Sequence, residues 1–185
     1  MRIIAGRFKG RSLRSPASGK IRPTSDRLRE SLFNVLAHAY GDPLRGSRVL
    51  DLFAGTGALG IEALSRGAAF VCFVEEAAEA RGLIKENIEI LGLAGQTKVF
   101  RRDATRMGNA HPNDPFSLVF CDPPYGKNLA PSALSSALTG GWITIDALVI
   151  VEERADVSVE LPTSLVLLEQ RIYGETQIIF ARFEG

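Results

Sequence analysis

Residues 49–60 read VLDLFAGTGALG. The stretch opens apolar, places Asp51 inside the apolar run and then delivers Gly55-x-Gly57-x-x-Gly60. Arg48 to Leu52 has the character of a short buried strand, and Gly57 to Arg66 that of a helix stopped by Gly67. A glycine-rich turn between a strand and a helix lets the backbone bend sharply and lets a ligand approach the peptide plane. Glu75 follows about twenty residues on, at the end of the next apolar run, where a carboxylate can take both hydroxyls of a ribose. Such a unit fits a dinucleotide or S-adenosylmethionine. The plainer alternative is a tight strand–helix turn with no ligand.

The same alternation runs outward on both sides. Phe70 to Glu75 forms a second strand, Ala77 to Leu91 a helix ended by Gly92, and Lys98 to Phe100 a short third strand. Phe116 to Cys121 is a fourth, running into Asp122-Pro123-Pro124-Tyr125. Pro131 to Leu138 is helical and Ala147 to Val151 a fifth strand. Strands alternating with helices indicate a doubly wound parallel sheet. Beyond residue 165 the pattern changes: two strands flank the turn Tyr173-Gly174-Glu175-Thr176, so an antiparallel hairpin closes the sheet. Upstream, Thr24 or Ser25 caps a helix whose Leu28, Leu32, Phe33, Leu36 and Ala37 recur at helical spacing. The first residues, RIIAGRFKGR, read as a glycine-bracketed hairpin too small to have a core of its own.

Composition sets the limits. The chain has 185 residues, 45% of them hydrophobic and 23% charged, which is the ordinary globular range and excludes disorder as the default. There is no apolar run of about 18 residues to span a membrane, and the N-terminal MRIIAGRFKGRS lacks the apolar core of a secretory leader. Cys72 and Cys121 each sit in an apolar run and read as core thiols of a cytoplasmic protein. The net charge of +1 hides an asymmetry. Met1 to Arg48 holds eleven Lys or Arg against three Asp or Glu, and the rest holds eleven against eighteen. A basic head on an acidic body suggests a polyanion partner, with Arg2, Arg7, Lys9, Arg11 and Arg14 as the RNA-binding candidates. The alternative is a solvated arm.

Two details tilt the ligand choice towards S-adenosylmethionine. Asp51 would repel a pyrophosphate at the loop but suits the cationic amine of a methionine moiety. Asp103, after the third strand, can accept from an adenine amine, although a helix N-cap is its other reading and the two are compatible. On this reading Asp51, Phe53, Ala54, Gly55, Thr56, Gly57 and Gly60 hold the methionine end, Glu75 the ribose, and Asp103 with Ala104 the adenine. Asp122-Pro123-Pro124-Tyr125 supplies the chemistry. Two prolines remove two backbone donors and stiffen the strand exit. Asp122 and the Pro123 carbonyl can then accept from an exocyclic amine, Pro124 holds the turn, and Tyr125 offers a flat face to a splayed base. Arg22, Thr24, Arg27 and Arg29 are either a capped, solvated helix start or a flap closing over the cofactor.

These motifs resemble class I S-adenosylmethionine-dependent amino-methyltransferases. The run Arg22-Pro23-Thr24-x-x-Arg27-x-Arg29-Glu30-x-Leu32-Phe33-Asn34-x-Leu36, the basic hairpin and the Arg171-x-Tyr173-Gly174-x-Thr176 tail narrow the resemblance to the RsmD family, bacterial 16S rRNA (guanine(966)-N(2))-methyltransferases. Tyr125 stands where some members carry Phe. The resemblance covers essentially the whole chain. It implies a Rossmann-like α/β fold with a seven-stranded, mostly parallel sheet, and methylation of a guanine N2 amine in 16S rRNA on the assembling 30S subunit. Residues 1–22 would be a basic extension and residues 23–185 the methyltransferase domain, acting as a monomer in the cytoplasm without membrane contact. The expected chemistry is direct transfer with no covalent enzyme intermediate. Cys121 precedes Asp122 and reads as core, Trp142 as a core anchor, and His38 and His111 as isolated; no metal is expected. The competing readings are a non-catalytic RNA-binding assembly factor of the same fold and a dinucleotide oxidoreductase. The latter has no use for Asp122-Pro123-Pro124-Tyr125.

Overall fold

The computed structural model describes residues 1–16 and 25–185. Parallel strands β1 (Arg48–Leu52), β2 (Phe70–Val74), β3 (Thr97–Phe100) and β4 (Phe116–Cys121) alternate with helices α2 (Ala58–Ser65) and α3 (Ala78–Leu91). Helix α1 (Asp26–Ala39) precedes them, and α4 (Ala130–Thr139) leads to β5 (Ile143–Arg154) and the pair β6 (Leu165–Tyr173) and β7 (Thr176–Phe183). One seven-stranded sheet results, ordered β3-β2-β1-β4-β5-β7-β6. Strand β7 is antiparallel to both of its neighbours, as the C-terminal turn implies.

The central strands are apolar along their length because both faces are covered. Successive side chains alternate between two cores. Val49 packs with α1, α2 and α3 around Phe33, Ile61 and Ile84. Leu50 and Leu52 pack on the other face with α4, around Leu134 and Trp142. The indole N–H of Trp142 donates to the Gly108 carbonyl at 2.7 Å, and Cys72 and Cys121 are buried free thiols. Strand order reverses between β1 and β4, so the loops after these two strands border one crevice.

Two features depart from the sequence reading. The N-terminal arm folds back with a single β-bridge, Arg2–Ser12, rather than two regular strands. It is also not peripheral. Ile3 and Leu13 are buried in the core shared with α1 and α2. The arm clasps the outer face of α2, all eight residues of which are buried. The Glu62 carboxylate accepts from Ile4 N at 2.8 Å, Ala5 N at 3.0 Å and Arg66 Nε at 2.8 Å. Phe8 N donates to the Ser65 hydroxyl at 3.1 Å and Arg7 N to the Ser65 carbonyl at 2.8 Å. Gly6, at φ +81°, is required there, since a Cβ would lie 1.9 Å from the Ser65 carbonyl oxygen. Arg29, fully buried, donates to the Arg2 carbonyl and to Asp26. A clasp of non-local backbone bonds leaves no pattern in the sequence.

The second departure is β5, which runs from Ile143 to Arg154 rather than from Ala147 to Val151. Its charged end pairs with β7, Glu152 opposite Ile178 and Arg154 opposite Thr176. An apolar-run reading stops at the first carboxylate. The start of α1 agrees with the sequence reading: of Thr24 and Ser25, Ser25 is the cap, accepting from Leu28 N at 3.1 Å. Arg22 and Thr24 lie outside the described residues, as does the boundary drawn between residues 22 and 23.

Candidate active site

A cavity of about 1180 Å³ opens at the carboxyl ends of the parallel strands. It is lined by the loops after β1, β2, β3 and β4, by the start of α1 and by the β6–β7 turn. Among its described lining residues are seven acidic side chains (Asp51, Glu75, Glu76, Asp103, Asp122, Glu152, Glu175) against three basic ones (Arg27, Arg102, Lys127). That lining attracts cationic ligands and opposes a pyrophosphate.

The glycine loop is built as its spacing requires. Gly57 takes φ +76° as the N-cap of α2 and Gly55 takes φ +56°. Phe53 also adopts a positive φ of 59°. A Cβ on Gly60 would come within 2.4 Å of the Phe73 ring, so this glycine lets the helix seat against β2. Ala54 and Thr56 complete the turn and line the cavity, with the Thr56 hydroxyl 3.7 Å from the Met1 sulfur.

Asp51 borders the cavity from the end of β1 while almost wholly removed from solvent. Its Oδ2 accepts from Gly60 N at 3.0 Å. Burial pushes this carboxyl up to about 8, against the opposing pull of the Gly60 N–H and with a further push from Glu75. Glu75 is tied into the same loop: Oε2 accepts from Gly55 N at 2.9 Å and Oε1 from Ala77 N at 2.7 Å. Each oxygen keeps a second lone pair for a ligand hydroxyl. Asp103 caps the short turn Ala104–Arg106, accepting from Thr105 N at 2.9 Å and its hydroxyl at 2.7 Å. These bonds hold its carboxyl below the usual range, and Ala104 is buried beside it. Of the two readings of Asp103, the cap is thus present in the structure, and its position on the cavity wall leaves the other open.

Asp122, Pro123, Pro124 and Tyr125 leave β4 directly across from the glycine loop, with Asp122 N 3.4 Å from the Leu52 carbonyl oxygen. Pro123 is buried and Pro124 exposed, so the two prolines bridge core and cleft. The Tyr125 ring is half-buried, and its hydroxyl donates to Glu152 and lies 3.2 Å from the Thr176 hydroxyl. Burial first, and then the Glu152 carboxylate, raise its pKa well above that of a free phenol. The Glu153 carboxylate accepts from Gly126 N at 3.1 Å, fixing the chain just after the motif. Glu152 and Glu153 were not singled out in the sequence, where the only signal was two carboxylates following an apolar strand; Thr176 was named in the Arg171-x-Tyr173-Gly174-x-Thr176 tail but given no place in the site.

Arg27 lines the cavity from the first turn of α1, whereas Arg29 is buried away from it in the arm clasp. Of the basic arm residues, Arg2 lies 3.8 Å from Asp26, and Arg7 donates to Gln96 at 2.6 Å while stacking over Phe8. Arg11 also faces the Phe8 ring, and Lys9 and Arg14 are exposed.

A sheet of this order with a glycine loop and Asp-Pro-Pro-Tyr at its reversal point is that of a class I methyltransferase. Residues 1–182 match the family described as Conserved hypothetical protein 95. The chain is 37% identical over 177 residues to Ribosomal RNA small subunit methyltransferase D of Escherichia coli (strain K12), covering 95% of this chain and 86% of that protein. It is likewise 37% identical over 190 residues to YlbH of Bacillus subtilis (strain 168), named as a candidate rRNA methyltransferase, with 100% of both covered. A solved Escherichia coli structure, yhhF, described as a candidate methyltransferase, superposes with a TM-score of 0.83 at 32% identity over 100% of this chain and 98% of that one. The chain belongs to this family, that of the RsmD-type rRNA methyltransferases. No helix among the described residues is long and apolar enough to cross a membrane.

Proposed function

We propose that the protein methylates the exocyclic N2 amine of a guanine in 16S rRNA, guanine 966, on the assembling 30S subunit, using S-adenosylmethionine. The observation that carries the reading is the placement of Asp122, Pro123 and Tyr125 across one cleft from the carboxylates Asp51 and Glu75. Those carboxylates fit the cofactor: Asp51 suits a cationic amine, and Glu75 has lone pairs available for ribose hydroxyls. Asp103 and Ala104 flank the place for the adenine, and Arg27 covers the cleft from α1. The cofactor supplies a methyl group already activated by its sulfonium, so the protein's task is positioning.

Asp122 and the Pro123 carbonyl accept the two amine hydrogens and aim the nitrogen lone pair into the cleft. Asp122 also stabilises the positive charge that develops on nitrogen, and the proton that the methylated amine sheds passes to Asp122 or to water. Tyr125 supports the flipped base by stacking. The exposed cations of the arm, Lys9 and Arg14 among them, grip RNA phosphates. On this reading the protein acts as a monomer in the cytoplasm. The test is methyl transfer to 30S particles from a strain lacking the activity, read by mass spectrometry of the rRNA. Asp122→Ala should lose at least about a hundredfold in kcat while cofactor binding persists. Wild-type turnover in that variant, or methyl incorporation at a site other than a guanine N2, overturns the proposal.

A further inference from the structure

The Tyr125 ring is anchored at its far end as well as at its backbone. The anchor comes from two strands that the motif itself does not contain. Glu152 follows Val151, the β5 residue paired with Cys121, so its carboxylate stands beside the exit of β4. Thr176 opens β7 and pairs with Arg154. Glu152 and Thr176 are each only 6% exposed, yet both reach the cavity wall. Their side chains converge on one atom, the phenolic oxygen of Tyr125. A phenol attached only through Cβ can swing about two torsions; one whose hydroxyl is held at a fixed point has a fixed ring plane. A bond from a phenol to a carboxylate is charge-assisted and short, and so strongly orienting.

We propose that Glu152, assisted by Thr176, is a positioning residue that fixes the plane of the Tyr125 ring and thereby the height at which the target amine meets Asp122. The proposal rests on the reading of Tyr125 as the platform for the flipped base. It gives the tyrosine hydroxyl a task beyond the stacking that a phenylalanine also provides. Glu152 touches neither base nor cofactor in this role. Loss of the anchor leaves the ring in place to bind the base but tilts it, so kcat falls while the Michaelis constant for the particle holds.

The experiment is a double-mutant cycle on methylation of 30S particles, with kcat and KM measured separately. Glu152→Ala and Tyr125→Phe should each lower kcat roughly tenfold, the scale of one charge-assisted hydrogen bond, with KM within about twofold. The double variant should be no slower than the slower single, because both remove one bond. Glu152→Gln keeps an acceptor oxygen and should recover most of the rate. Multiplying losses in the double variant, or wild-type kcat in either single, overturns the proposal. If Glu152→Ala does not fold, Tyr125→Phe and Glu152→Gln decide alone: a slow Phe variant beside a fast Gln variant supports the anchor, and equal rates overturn it. Tyr125→Ala separates this idea from the one beneath it. Full activity in that variant removes the platform and the anchor together. A dead Ala variant beside fully active Phe and Glu152→Ala variants removes the anchor alone.

Discussion

Asp51→Asn isolates one charge and leaves the side chain's shape and its bond from Gly60 N in place. In the unfolded chain the Asp51 carboxyl ionises near 3.8, and in the fold burial moves that value to about 8. Between these values the folded state holds a proton that the unfolded state has released. Stability from this group is therefore complete below the unfolded value and is lost as pH rises through the folded one. The loss runs at about 1.4 kcal/mol per pH unit. Asparagine does not titrate, so the stability of Asp51→Asn relative to wild type should grow by about 3 kcal/mol from about pH 5 to about pH 7 and level off above about pH 8. Urea unfolding of both proteins without cofactor, across that range, reads the difference directly. Cofactor binding should move oppositely. An amide cannot pair with the methionine ammonium, so the variant gains stability and loses affinity. Wild-type binding near pH 7 should release a proton, seen as a calorimetric enthalpy that depends on the buffer. A stability difference independent of pH would refute the argument, because it would mean that Asp51 keeps an ordinary carboxylate pKa and is not desolvated.

Glu75→Ala should weaken S-adenosylmethionine binding by about 1–3 kcal/mol in calorimetry, since it removes the ribose acceptor and also frees Gly55 N and Ala77 N; an unchanged dissociation constant would mean that Glu75 only ties the loop. Deleting residues 1–14 should unfold or strongly destabilise the protein, because burial of Ile3 and Leu13 contributes about 1.5–3 kcal/mol each and Glu62 loses two donors; a truncated chain with wild-type thermal stability would contradict the clasp. The fold-neutral test of the arm is Lys9→Gln with Arg14→Gln, which should flatten the log–log salt slope of binding to single-stranded RNA by about 1.4 and raise KM while leaving cofactor affinity alone; an unchanged slope would remove these two residues from the RNA contact.

The sequence by itself determined the fold class and half of the cleft. The glycine loop, Asp51, Glu75, Asp103 and Asp122 to Tyr125 were legible because each stands at the carboxyl end of a strand in a parallel sheet. There the local apolar run, the turn residues and the chemistry lie next to one another in the chain. Tertiary structure alone decided the rest. Tyr125 meets Glu152 twenty-seven residues away and Thr176 fifty-one residues away, and only the ladder between β4, β5 and β7 brings them together. Glu62 reads as an ordinary polar position on a short helix, yet the arm, nearly sixty residues upstream, covers it. The basic head read as a free arm because Ile3 and Leu13 are too few to form a core, and no periodicity says that they complete another. The state of Asp51 belongs to the same class. Its carboxyl is shifted by the water that packing excludes, and exclusion of water is a property of neighbours in space, which strand and helix patterns do not specify.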